Sequence, residues 1–78
     1  MNVRIYFKNY PPFPYIDVKA LKQIRIVTTN NPKQESYCKN EDCLKFVPLV
    51  NEIYAFQGAE NSLTVLGNEI FAVEFTEV

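Results

Sequence analysis

The 78-residue sequence predicts a mainly β fold. The expected form is a small antiparallel β-meander, either a strongly bent sheet or a partly open barrel, of six to seven short strands. Three observations carry this expectation. Apolar and polar residues alternate over short stretches, as in half-buried strands. β-branched and aromatic residues crowd those stretches. Proline, asparagine and glycine interrupt them where turns are needed.

The first strand is the clearest alternation. Val3, Ile5 and Phe7 fall on one side of residues 3–8, and Arg4, Tyr6 and Lys8 on the other. Pro11, Pro12 and Pro14 follow among Tyr10, Phe13 and Tyr15. Prolines fix φ and remove donors, so this stretch reads as an extended loop or a sheet edge. Asp17 suits the N-cap of a single helical turn near residues 17–22, and Ala20, Leu21 and Lys22 favour helix. A strand or irregular turn is the alternative there. Residues 23–29 are rich in β-branched side chains and read as a strand, ended by Asn30, Asn31 and Pro32. Residues 35–38 and 43–48 read as two strands around the turn of Lys39, Asn40, Glu41 and Asp42. Pro48 makes the second an edge or marks its end. Residues 53–57, 63–66 and 70–76 are three further strands. Gly67 and Asn68 match a type II′ turn between the last two.

Residues 51–57 echo residues 68–74, with a fainter copy at 23–27. A four-residue loop at 58–61 would set Phe56 opposite Leu63 and Tyr54 opposite Val65. A two-residue turn at Gly67 and Asn68 would then set Ala72 and Ile70 beside the same pairs. That register puts Ile53 and Ile70 on opposite faces, because the side-chain period is two. A three-residue loop with a bulge would put them on one face. In both cases the last strand carries apolar groups on both faces, which suits a covered or barrel-wrapped strand.

At this length the chain is one domain, residues 1–78, burying only about 60% of its unfolded surface. A large catalytic cleft is not expected. The hydrophobic content of 47% is too high for a disordered chain. There is no histidine, which takes away the commonest general base and metal ligand. With only Gly58 and Gly67, no glycine-rich phosphate loop exists. Cys38 and Cys43 are too few for a secreted disulfide scaffold and read as structural thiols. Their spacing also allows a hairpin disulfide. Cys43 lacks a base to activate it, and Glu41 and Asp42 beside it oppose ionisation. No catalytic residue, metal or cofactor is expected. No apolar stretch approaches a membrane span, and no signal peptide is visible, so a cytoplasmic protein is expected.

The formal net charge of −1 conceals two opposed halves. Residues 1–40 carry Arg4, Lys8, Lys19, Lys22, Arg25, Lys33 and Lys39 against Asp17 and Glu35, a net of +5. Residues 41–78 carry Lys45 against Glu41, Asp42, Glu52, Glu60, Glu69, Glu74 and Glu77, a net of −6. Either the halves pair across strands, or they present opposite faces to partners.

These features point to a non-enzymatic protein-interaction module that meets a protein partner or a second copy of itself. Exposed edges near residues 11–15 or 43–48 are the expected contact surface. Tyr10, Phe13 and Tyr15 supply aromatic contact area, and Glu69 and Glu74 an acidic face for an inhibitor or accessory role. The alternative is a small nucleic-acid-binding β domain, in which Arg4, Lys8, Lys19, Lys22 and Arg25 neutralise phosphates beside stacked tyrosines.

Overall fold

The computed structural model of the chain describes residues 1–8, 14–28 and 34–77. Among the described residues, seven strands make two antiparallel sheets. They are β1 (Asn2–Phe7), β2 (Tyr15–Val18), β3 (Leu21–Thr28), β4 (Glu35–Lys39), β5 (Glu52–Gly58), β6 (Ser62–Leu66) and β7 (Ile70–Thr76). The first sheet runs β2-β1-β7 and the second β4-β3-β5-β6. Two 3-10 turns, Asn40–Lys45 and Gly67–Glu69, are the only helical elements among the described residues.

The alternation in β1 builds the first half of the core. Val3 and Ile5 are fully buried. Val3 lies opposite Val18 on one side and Phe75 on the other, and Ile5 opposite Val73. The second sheet contributes Ile24 opposite Phe56, and Tyr54 opposite Val65. These residues form one hydrophobic cluster that both sheets share. Burying each such side chain is worth about 1.5–3 kcal/mol. No described polar or charged residue is buried with them. The Tyr54 hydroxyl is satisfied by the Leu49 N–H, which donates to it at 2.7 Å.

β2 passes into β3 at a sharp corner, and β6 passes into β7 through the second 3-10 turn. The chain therefore changes sheet twice, and its β architecture is two separate antiparallel sheets sharing one core. The first corner is tightly tied. Ala20 has φ of 51°, in the left-handed region, and its N–H donates to Asn2 Oδ1 at 2.9 Å. The Leu21 N–H donates to the Met1 carbonyl at 2.7 Å. The loop between β5 and β6 closes over this corner. The Ala59 N–H donates to the Ala20 carbonyl at 3.0 Å. Asn61 accepts from the Lys19 N–H at 3.1 Å and donates to the Asp17 carbonyl at 2.9 Å. Its side-chain amide thus acts as a short stretch of strand against β2.

Four local expectations give way here. Residues 17–22 hold no helical turn. Asp17 instead sits in β2, where Arg4 on the neighbouring strand offers it two charge-assisted hydrogen bonds. Residues 43–48 hold no strand. The 3-10 turn buries Cys43, and Phe46 then packs edge-on against Tyr54 (ring centroids 4.7 Å apart) and Phe56 (5.6 Å). Gly67 and Asn68 make a 3-10 turn instead of a type II′ turn, and Gly67 has no positive φ. Glycine is needed there for room: a Cβ would stand 1.8 Å from the Leu49 carbonyl oxygen. Finally, β7 pairs with β1 and not with β6. The four-residue loop does set Phe56 opposite Leu63 and Tyr54 opposite Val65. Ala72, however, faces Tyr6, and Ile70 faces Phe7.

Candidate interaction surfaces

The outer face of the first sheet gathers several of the charged residues singled out in the sequence. Arg4 stands between Asp17 on β2 and Glu74 on β7, so the basic and acidic halves do meet across one strand pair. Arg4 Nε donates to Asp17 Oδ1 at 2.7 Å and its Nη2 to Oδ2 at 3.1 Å. The guanidinium also lies over the Tyr15 ring, 4.0 Å from its centroid, and Tyr15 leans on Tyr6 at 5.8 Å. The hydrogen bonds from Arg4 hold the Asp17 carboxyl below its ordinary range. Asn2, Lys19 and Thr76 complete a shallow depression of about 170 Å³ beside this pair.

The other basic residues lie elsewhere. Lys8 and Lys19 follow opposite ends of the β1–β2 ladder and are exposed. Lys22 is exposed where the β3–β5 register shifts. Arg25 lies on the second sheet, opposite Tyr37, and is ion-paired with Glu35. The five bases therefore spread over both sheets, and both arginines already have carboxylate partners. Tyr10 and Phe13 lie outside the described residues.

The cysteines are free thiols. Cys43 is buried, and its Sγ donates to the Cys38 carbonyl at 3.4 Å. Burial pushes both thiols up, with Asp42 adding to the effect. That is the opposite of the direction a nucleophile needs. Among the described residues, no group of three or more histidine, cysteine, aspartate or glutamate side chains could hold a metal ion. Among them too, no helix is long and apolar enough to cross a membrane.

A third surface overlaps the 43–48 edge that the sequence offered as a contact surface, and adds Leu49, Val50 and Leu66 to it. Leu44, Val47, Leu49 and Val50 are 58%, 71%, 52% and 68% exposed, and Leu66 is 46% exposed. The backbone joins them. The Leu49 carbonyl rests against Gly67, the residue after Leu66, and accepts from the Glu52 N–H at 3.3 Å. Residues 44–50 contain an almost unbroken apolar run, and the sequence reading placed an edge strand over 43–48 of it. Pro48 and the lack of polar alternation were the available signals against that reading. Phe71 is exposed separately, at 72%. It occupies the extra position where Tyr6 faces Ala72 but Phe7 faces Ile70, and this bulge turns Ile70 inward and Phe71 outward. The echo between Tyr54 and Phe71 is therefore not structural, since one ring is buried and the other is not.

Comparison with known protein families, with characterised proteins and with solved structures finds no match to this chain.

Proposed function

We propose that this chain is a non-enzymatic protein-interaction module of the cytoplasm, and that it docks its partner on the apolar surface formed by residues 44–50 and Leu66. The observation that carries this reading is the exposure of Val47 and Val50, more than two-thirds accessible, beside Leu44, Leu49 and Leu66. A small domain gains stability by burying such groups, and large exposed apolar side chains gathered on neighbouring segments favour a contact site. The surface is held in shape beforehand. Leu49 is anchored by Tyr54, Phe46 packs against the core, and Gly67 seats the turn. A pre-formed surface saves the ordering cost of binding. Free, neutral thiols suit a reducing compartment.

Nucleic-acid binding has less support. Phosphate recognition wants several free cations along one track, whereas Arg4 and Arg25 are ion-paired and the lysines are dispersed.

The test compares the immobilised chain with a Val47→Asp, Val50→Asp double variant. Both residues are exposed, so the variant keeps its circular dichroism and melting behaviour. The wild type is expected to retain specific proteins from lysate that the variant loses. Equal retention by the two would refute this surface.

A further inference from the structure

β4 (Glu35–Lys39) pairs with β3 alone, so among the described residues no strand lies beside its outer edge. The ladder decides which groups face that edge. The Thr28 N–H donates to the Gln34 carbonyl at 2.8 Å, which makes Thr28 and Gln34 a hydrogen-bonded pair. Opposed residues of an antiparallel ladder alternate between bonded and non-bonded pairs. Ser36 opposite Ile26 and Cys38 opposite Ile24 therefore bond to β3. Glu35, Tyr37 and Lys39 direct their backbone groups away from it, to the open edge. Lys39 keeps extended backbone (φ −131°, ψ 149°) at the head of the 3-10 turn, so the edge runs through it. The side chains of the same three residues share one exposed face. Tyr37 is 52% exposed, Lys39 Nζ lies 6.0 Å from its ring centroid, and Glu35 takes Arg25 from β3.

We infer that the occupant of this edge is β4 of a second copy of the chain, paired antiparallel and centred on Tyr37. In that register the residues with outward backbone groups meet one another. Tyr37 faces its own counterpart, Glu35 faces the partner's Lys39, and Lys39 faces the partner's Glu35. The two charge pairs are equivalent by the two-fold axis, as an isologous contact requires. Each Lys39 would join Arg25 around a Glu35 carboxylate. Opposite charges directly across a strand pair stabilise it, and so do paired aromatic rings. Charges on an edge ordinarily turn away stray strands; these two are matched by the same strand reversed. The other edges lack that match. Asn61 already bonds to the outer edge of β2. β6 carries no charged residue and β7 only Glu74, so neither can set opposite charges against itself. Pairing through β4 would fuse two four-stranded sheets into one continuous antiparallel sheet. This contact is separate from the apolar surface of residues 44–50.

The experiment is sedimentation equilibrium of the full chain over a concentration series, with two charge variants. Lys39→Glu sets glutamate against glutamate at both ends of the contact, and Glu35→Lys sets lysine against lysine. Each should weaken self-association about tenfold or more, since the contact holds each pair twice. An equimolar mixture of the two variants restores both opposite-charge pairs, so it should form the mixed dimer that neither forms alone. Amide hydrogen exchange of the wild-type chain supplies a readout that needs no variant: the Tyr37 and Lys39 amides should become protected as concentration rises. A wild type that stays monomeric at every concentration would overturn the inference. So would a dimer indifferent to both variants, or one in which the Tyr37 amide exchanges as fast as in the monomer. A dimer that survives Lys39→Glu but is dissolved by the Val47→Asp, Val50→Asp double variant would move self-association to the apolar surface and away from β4.

Discussion

Asn61 offers the sharpest test of how the fold is closed. Its side chain makes two hydrogen bonds to the backbone of the β2–β3 corner, at 3.1 Å to the Lys19 N–H and 2.9 Å to the Asp17 carbonyl. The loop has little slack there. A Cβ on Gly58 would stand 2.4 Å from the Lys19 carbonyl oxygen and 2.9 Å from the Asn61 carbonyl oxygen. Asn61→Ala removes both side-chain bonds. A net hydrogen bond is worth about 0.5–1.5 kcal/mol, and water can partly replace these exposed ones, so a total loss of about 1–2 kcal/mol is expected. For a domain of this size that lowers the melting temperature by about 5–15 °C. Asn61→Asp keeps an acceptor for Lys19 but turns a charged oxygen toward the Asp17 carbonyl, so it should be no more stable than Asn61→Ala. Urea denaturation should show a lower midpoint with an unchanged slope, because the exposed surface does not change. The reasoning fails if Asn61→Ala melts with the wild type, or if Asn61→Asp does. In either case the amide bridge would not be what joins the two sheets.

Three further outcomes follow from the same geometry. Ala20 at φ of 51° bears the left-handed penalty of about 1–2 kcal/mol, partly offset in glycine by unfolded-state entropy, so Ala20→Gly should stabilise by about 0.5–1 kcal/mol; a lower melting temperature would refute the strained corner. Gly67→Ala would place a methyl group 1.8 Å from the Leu49 carbonyl oxygen, and the forced shift should cost about 2–3 kcal/mol, read as a fall in the urea midpoint; an unchanged midpoint would show that the 49–51 turn yields freely. Asp17 is held below its ordinary pKa of 3.8 by Arg4, so its contribution is complete above that value and is lost as pH falls below it; a carboxyl titration by NMR at or above 3.8, or an acid-unfolding profile unaltered in Asp17→Asn, would remove the pair from the account.

Much of the surface chemistry was legible as composition but not as placement. The +5 and −6 halves pointed to charge complementarity, and Arg4 does stand beside Glu74 on the paired β7 strand. The hydrogen-bonded partner of Arg4 is nevertheless Asp17, one of only two acids in the basic half, and Glu35, the other, takes Arg25. Residues 43–48 were legible as apolar and as an exposed edge, but were read as a strand where a 3-10 turn and an irregular segment stand. Hydrophobicity states a preference for burial, but the core was already filled by Tyr54, Phe56, Cys43 and their neighbours, with Phe46 packed against it. The remaining apolar side chains of that run had nothing left to cover them.

What the sequence by itself determined is most of the short strands, residues 15–18 and 43–48 excepted, and the faces of several of them. Val3 and Ile5 on one face of β1, and the Tyr54–Val65 and Phe56–Leu63 pairs across the 58–61 loop, follow from a period of two and a loop length, both local quantities. What only the tertiary structure decided is which strand receives β7, how residues 17–22 turn, and which apolar groups stay outside. β1 offered β7 the positions opposite Val3 and Ile5 for Phe75 and Val73, which a hairpin with β6 would have left to other residues. A chain this short completes its core by bringing its two ends together. The gain from that closure depends on residues about seventy positions apart, beyond the reach of any periodicity or turn propensity.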